Sequence, residues 1–230
     1  MKRTAGRLLI ILCVLAAMVG FFVLLGMRPA ESFYQKYAGY DLSVDAEGTT
    51  REGTYGKYLS LHEGAARPDA DIRVELQNFI SAEGVEFYPE FEGAKNVLVT
   101  EQDSLVSWEF DIEQEGFYNI YIEYLATKSR GTAIERAVYI NGEIPFEDAA
   151  NIALTRIWKD GGEVRRDNQG NEIRPTQVEE FAWQKAYFRD DMGYNVEPYQ
   201  FYFRKGKNSL TLEAVNEPIA IRELVIKAVK

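Results

Sequence analysis

The chain has 230 residues and a formal charge of −10, with 46% hydrophobic and 27% charged residues: room for a membrane anchor and one good-sized domain, in a composition that excludes wholesale disorder. One Cys and one His exclude a disulfide scaffold, a zinc finger and a Cys/His metal enzyme built within one chain. Residues 1–30 hold four basic residues and no acidic ones, leaving 22 basic against 36 acidic residues in the remainder, a domain that nucleic acid and anionic lipid would repel.

Leu8 to Met27 is a run without a charge. As a helix it would span roughly 30 Å, the thickness of the hydrocarbon core. Lys2, Arg3 and Arg7 precede it, while Arg28 alone follows before Glu31. This bias keeps the N-terminus in the cytoplasm and puts everything after Arg28 on the extracytoplasmic side. Residues 1–30 therefore read as an uncleaved signal anchor, a single-pass tether in the cell membrane. The competing reading is a cleaved signal and a secreted domain. Against it, the candidate cut after Ala30 has Arg28 two places upstream, where a small residue is needed. Cys13 lies behind Ile11 and Leu12 rather than behind small residues, so it reads as a lipid-facing or packed thiol and not as a lipoprotein signal.

Residues 31–71 read as a juxtamembrane linker broken by Gly39, Gly48, Gly53, Gly56 and Gly64. Tyr34, Tyr37, Tyr40, Tyr55 and Tyr58 are too many for a plain disordered linker, so part of it is expected to pack on the domain or sit at the membrane interface. Thr54 to His62 could form one helix. Arg67-Pro68-Asp69 marks a boundary before the first strand at Ile72.

From Ile72 to Lys230 the pattern is strand after strand, and the 13% aromatic content suits strands. Ser107 to Ile112 alternates, with Trp108, Phe110 and Ile112 inward. Glu115-Gly116 turns into Phe117–Leu125, with Tyr118, Ile120, Ile122 and Tyr124 on one face. Arg136–Ile140 closes on Asn141-Gly142, a strong hairpin signal. Ala182–Phe188, Gln200–Phe203, Ser209–Glu213 and Ile219–Val229 follow. Around Arg222–Val225 the alternation breaks, which a bulge would reconcile. The expected fold is all-β, an antiparallel β-sandwich of Greek-key or jelly-roll type behind one N-terminal transmembrane helix.

One stretch, 143–185, departs from that rhythm. Pro145–Ile152 could be a short helix and Leu154–Trp158 a strand, before the polar runs Lys159–Gly162 and Asp167–Pro175. An excursion of this length from a sandwich is uncommon unless it has a role.

The segments Glu115–Tyr124, Val138–Gly142 and Phe203–Leu212 resemble, in this order, carbohydrate-binding modules of the galactose-binding-like jelly-roll class. More narrowly, Arg67-Pro68-Asp69, Pro145–Ala149, Asp167–Pro175 and Glu197–Phe203 resemble the N-terminal region of large bacterial extracellular solute-binding proteins of carbohydrate ABC transporters. The resemblance covers about Thr54 to Lys230. It implies a glycan or oligosaccharide as ligand and ABC transporter subunits as partners. Such modules often hold a structural calcium between a Glu-Ala-Glu strand and a C-terminal Asp. Here Val74-Glu75-Leu76-Gln77 offers an amide at the second carboxylate position, and Arg222 falls at the C-terminal one. No metal and no cofactor is therefore expected. Residues 31–230 do not read as a two-lobed solute-binding domain, so solute capture for transport is not expected of this stretch alone.

Sugar recognition stacks aromatic rings on pyranose faces and reads hydroxyls with amides, carboxylates and arginines. In the excursion this points to Trp158 or Trp183 as a platform, with Arg156, Asn168 and Arg174 as polar readers. Both tryptophans could instead anchor the core. Asp167–Glu172 is oxygen-rich, but Gln169 stands where an EF-hand needs Asp or Asn and no distant Glu completes the frame. Glu179-Glu180 and Asp190-Asp191 are adjacent pairs whose side chains would point to opposite faces of a strand, and His62 has no serine motif beside it. The expected function is a non-catalytic, membrane-tethered carbohydrate-binding module accessory to a sugar transporter. The alternative is a structural spacer or protein-interaction sandwich.

Overall fold

The computed structural model describes Leu15, Ala16, Met18, Phe21 and residues 52–229. The chain divides into two compact units, Met1–Ala46 and Glu47–Lys230. In the first, the four described residues are helical and exposed. The rest of the apolar run Leu8–Met27 lies outside the described residues. No helix among the described residues is long and apolar enough to cross a membrane.

The second unit begins with α1 (Tyr55–Leu61), whose first turn is capped by the Thr54 hydroxyl accepting from the Lys57 N–H at 3.3 Å. In the linker 31–71, of which part was expected to pack on the domain, Tyr55 and Tyr58 on α1 are buried in the main core. Their hydroxyls accept from the N–H groups of Gln200 and Tyr202 at 2.9 and 2.6 Å. The helix is therefore stitched to the body through otherwise exposed strand donors.

Among the described residues fourteen strands follow: β1 (Ile72–Arg73), β2 (Phe79–Phe91), β3 (Ala94–Ile112), β4 (Gly116–Ala126), β5 (Ile134–Ile140), β6 (Ile152–Leu154), β7 (Ile157–Asp160), β8 (Arg165–Arg166), β9 (Glu172–Ile173), β10 (Gln177–Glu180), β11 (Gln184–Tyr187), β12 (Gln200–Phe203), β13 (Gly206–Asn216) and β14 (Ile219–Ala228). Ten of them form one antiparallel sheet in the order β11-β4-β14-β3-β13-β5-β6, with β1 on β14, β12 on β4 and β2 on β3. Strand β3 pairs with β14 through Leu98–Thr100 and with β13 through Leu105–Ile112, so it serves both halves of the sheet. Side chains from both halves meet in one core: Ile120 and Ile122 of β4, Leu224 and Ile226 of β14, Val138 of β5, and Leu210 and Leu212 of β13. This is the sandwich principle, each half burying its apolar face on the other.

Trp108 lies at the centre, 1% exposed, donating its Nε1–H to the Leu76 carbonyl at 3.1 Å. The bulge expected near Arg222 is present: the β14–β4 register shifts between Ile221 and Glu223. The Asn141-Gly142 turn forms with both residues at positive φ, but it joins only the single bridge pair Ile140 and Glu143. The chain then makes a 3-10 turn, Glu147–Ala150, before β6 returns to pair with β5. The long β2–β3 hairpin, closed by Glu92-Gly93 with both φ positive, has no counterpart in the sequence reading before Ser107.

Candidate functional site

The excursion is a hairpin within a hairpin. β7 and β10 pair from Ile157–Glu180 to Asp160–Gln177, and β8 and β9 pair beyond them. Thr155 and Arg156 separate β6 from β7, so the sequence 154–158 is not one strand.

The base of this ribbon is fixed by buried charge. The Arg156 side chain, 4% exposed, reaches Glu217 at 2.5 Å and Glu179 through Nη1. Its Nε donates to the Thr132 carbonyl at 2.7 Å and its Nη2 to the Ser129 hydroxyl at 3.0 Å. Glu217, whose side chain is fully buried, also accepts from the hydroxyls of Ser129 and Thr132. Burial alone would push its carboxyl up. The two hydroxyls, the Arg156 guanidinium and the Gly131 N–H outweigh that and hold it down at about 2. Beneath, Arg136 is 1% exposed and donates to the carbonyls of Asn216 and Glu217 at 2.9 and 2.8 Å. Its burial lowers the guanidinium to about 10, still charged at neutral pH.

Trp158 rises from this base, 48% exposed. Directly opposed residues of an antiparallel pair share a face, so Trp158 lies with Glu179, Asp160 and Gln177. Gln177 donates to the Asp160 carboxylate. The indole edge lies near Gly131, where an added Cβ would be 3.6 Å from Cη2. Gly131 sits at φ +77°, in the loop that Glu217 gathers in. Arg130 is next to it, donating to the Asn216 side chain at 3.0 Å while remaining largely exposed.

The other predicted readers fall elsewhere. Asn168 is exposed in the β8–β9 turn, whose backbone is organised by Asp167 accepting from the N–H groups of Gln169 and Asn171 at 2.8 Å each. Arg174 is exposed just beyond β9. The Arg156 side chain is buried and taken up by Glu179, Glu217, Ser129 and Thr132, so it is not open to a ligand. Trp183 is half-buried: its Nε1–H donates to the Glu92 carbonyl at 3.1 Å, and Arg222 lies over its ring at 5.1 Å. Asp160, Gln177, Arg130 and Gly131 were not singled out in the sequence. The only signal was the Ser129-Arg130-Gly131-Thr132 turn, and its proximity to Trp158 depends on pairing across the sheet. Glu179 and Glu180 diverge as expected of strand neighbours, Glu179 to Arg156 and Glu180 to Lys159.

Glu75, Gln77, Arg222 and Glu223 do line one small pocket, together with Arg73 and Lys95. Arg222 donates to Glu123 at 2.5 Å and Arg73 pairs with Glu223. Three cations beside two carboxylates, one of which is paired with Arg73, do not suit a divalent metal there. Among the described residues no group of three His, Cys, Asp or Glu side chains could hold a metal ion.

No protein-family model matches the chain, and no curated protein does. Solved structures similar to it include the C-terminal CBM6 of a marine laminarinase from Zobellia galactanivorans, at 13% identity and a TM-score of 0.41, covering 69% of this chain and 99% of that one. A family 35 carbohydrate binding module from Clostridium thermocellum matches at 10% identity and a TM-score of 0.41, again covering 69% and 99%. The Podospora anserina GH26-CBM35 β-(1,4)-mannanase matches at 10% identity and a TM-score of 0.43, over 71% of this chain and 28% of that one. Likenesses at this level assign neither a family nor an activity.

Proposed function

We propose that the chain is a non-catalytic glycan-binding module that uses Trp158 as its stacking platform. One observation carries the reading: a tryptophan ring is left half exposed on a two-stranded ribbon whose base is locked by the Arg156–Glu179–Glu217 ion pairs. A large apolar ring held in place and left open to water is poised to cover the apolar face of a sugar. Asp160, Gln177 and Arg130 stand around it as hydroxyl readers. The finer parts of the proposal come from the sequence: tethering to a cell membrane through residues 8–27, the domain on the extracytoplasmic side, and service as an accessory to a sugar ABC transporter. A shallow single-ring site buries little area, so affinity is expected in the micromolar to millimolar range.

The test is a glycan array probed with the wild type and Trp158→Ala, with thermal melts of both. The proposal expects binding lost in the variant and the melting temperature nearly kept. Binding that survives the substitution, or no binding to any glycan, would overturn it.

A further inference from the structure

A second concavity lies away from Trp158. It opens between the end of α1, the Asn141–Pro145 turn and the segment after β12, and has a volume of about 370 Å3. Its inner lining is aromatic and apolar: Tyr58 and Ile140 are buried, and His62, Tyr202 and Pro145 are half-buried. Its rim is exposed and consists of Asn141, Glu143, Ile144 and Arg204.

The lining is pre-formed. The imidazole of His62 stacks on Tyr202 at 4.2 Å between centroids and 30° between planes. Its Nδ1 lies 3.0 Å from the Tyr58 carbonyl, which can only accept, so Nδ1 donates there and the ring orientation is fixed. The Tyr58 hydroxyl accepts from the backbone N–H of Tyr202, which ties the Tyr58 ring to β12. At the rim, Asn141 is fixed by Asn208 at 3.0 Å and by the Ser209 N–H at 2.9 Å. Glu143 and Arg204 differ: neither side chain has an ion-pair partner among the described residues, although both line the same opening.

One carboxylate and one guanidinium give the rim no net charge with which to select an anion or a cation. They do give it acceptors and donors above an aromatic floor, the combination that reads hydroxyls on a ring with an apolar face. We infer that this crevice is a second binding site, taking one neutral pyranose ring of a glycan. The ligand class rests on the proposed function; the site itself does not depend on Trp158. Two weak sites on one module would raise the avidity for a polysaccharide by effective concentration.

The experiment uses the full chain in lipid nanodiscs and ligand-observed saturation-transfer NMR. The probes are methyl β-D-glucopyranoside, methyl β-D-galactopyranoside and methyl α-D-mannopyranoside, each to about 50 mM, a range that captures millimolar dissociation constants. The Trp158→Ala protein is expected to bind at least one probe saturably. Adding Arg204→Ala and Glu143→Ala, both exposed, is expected to weaken that binding by about tenfold or more, with an unchanged melting temperature. No transfer to any probe in Trp158→Ala, or binding indifferent to the two rim substitutions, overturns the inference. The Trp158 reading fails on a different result, polysaccharide binding by the wild type that Trp158→Ala leaves intact.

Discussion

Glu217 shows how much a single side chain can organise. It sits at φ +64° in the β13–β14 turn, fully buried, and gathers Ser129, Thr132 and Arg156 around one carboxylate. Glu217→Gln takes away one of the two carboxylates that pair with the buried Arg156 and leaves Glu179 as the other, so it should lower stability at neutral pH by on the order of 2 kcal/mol. Its carboxyl is held near 2, below the ordinary 4.5. A depressed carboxyl contributes stability that is present above the unfolded value and lost as pH falls through the folded one. The urea midpoint of the wild type should therefore drop between about pH 4.5 and pH 2, and Glu217→Gln should flatten that drop; equal slopes would refute this role. None of it was legible beforehand. Alternation placed Trp108 in the core correctly, because its strand is half-buried along its length. It could not separate Trp158 from Trp183, since what covers each ring comes from Gly131, Glu92 and Arg222, all distant in the chain.

At the scale of elements, two features set the ribbon and its surroundings. Gly116 opens β4 at φ +152°, and a Cβ there would lie 2.3 Å from the Ala66 carbonyl oxygen. That backbone contact, with the Phe117 N–H donating to Ala66 at 2.9 Å, ties the segment after α1 to the sheet. Gly116→Ala should destabilise the domain by more than about 1 kcal/mol, read as a lowered urea midpoint with an unchanged slope. An unshifted midpoint would show that the segment is free to move away. Strand β2 pairs with β3 and is exposed from Phe79 to Glu83 and half-buried in part beyond, with Glu83, Glu86, Glu90 and Pro89 in it and register shifts near Ile80 and Gly84. These are devices that keep an edge strand from pairing with a copy of itself. Glu83→Val with Glu90→Val should promote self-association in light scattering; a protein that stays monomeric would contradict that reading. In the sequence β2 shows an alternating run only from Val85 to Phe91, with Val85, Phe87 and Phe91 turned to the core, and the register shifts and Pro89 break its rhythm. Strands with one face in the core, such as Ser107–Ile112 and Ser209–Glu213, were readable for the opposite reason.

For the whole molecule, the all-β architecture followed from many short alternating runs separated by turn signals. The order of strands in the sheet did not, because β3 and β14 each pair with several partners far away in the chain. The packing of α1 was half visible as an excess of tyrosines. The Arg222 position has a consequence at this scale. With Arg222 bound to Glu123, the melting temperature of the domain should not rise when millimolar calcium is added, whereas a metal that bound only the folded state would raise it. An upward shift reversed by a chelator would disprove this. Topology is tested by a reporter fused after Lys230, expected to be active only outside the cytoplasm.

The central claim is that the exposed ring of Trp158 is the surface on which a sugar sits. Intrinsic tryptophan fluorescence measures it most directly, because Trp108 is enclosed and Trp183 lies under Arg222. Titrating the full chain with a glycan that it binds should shift or quench the emission saturably, at the concentration where binding occurs, and Trp158→Phe should abolish that change. A glycan that binds without altering the emission, or an emission change that survives Trp158→Phe, would contradict the account.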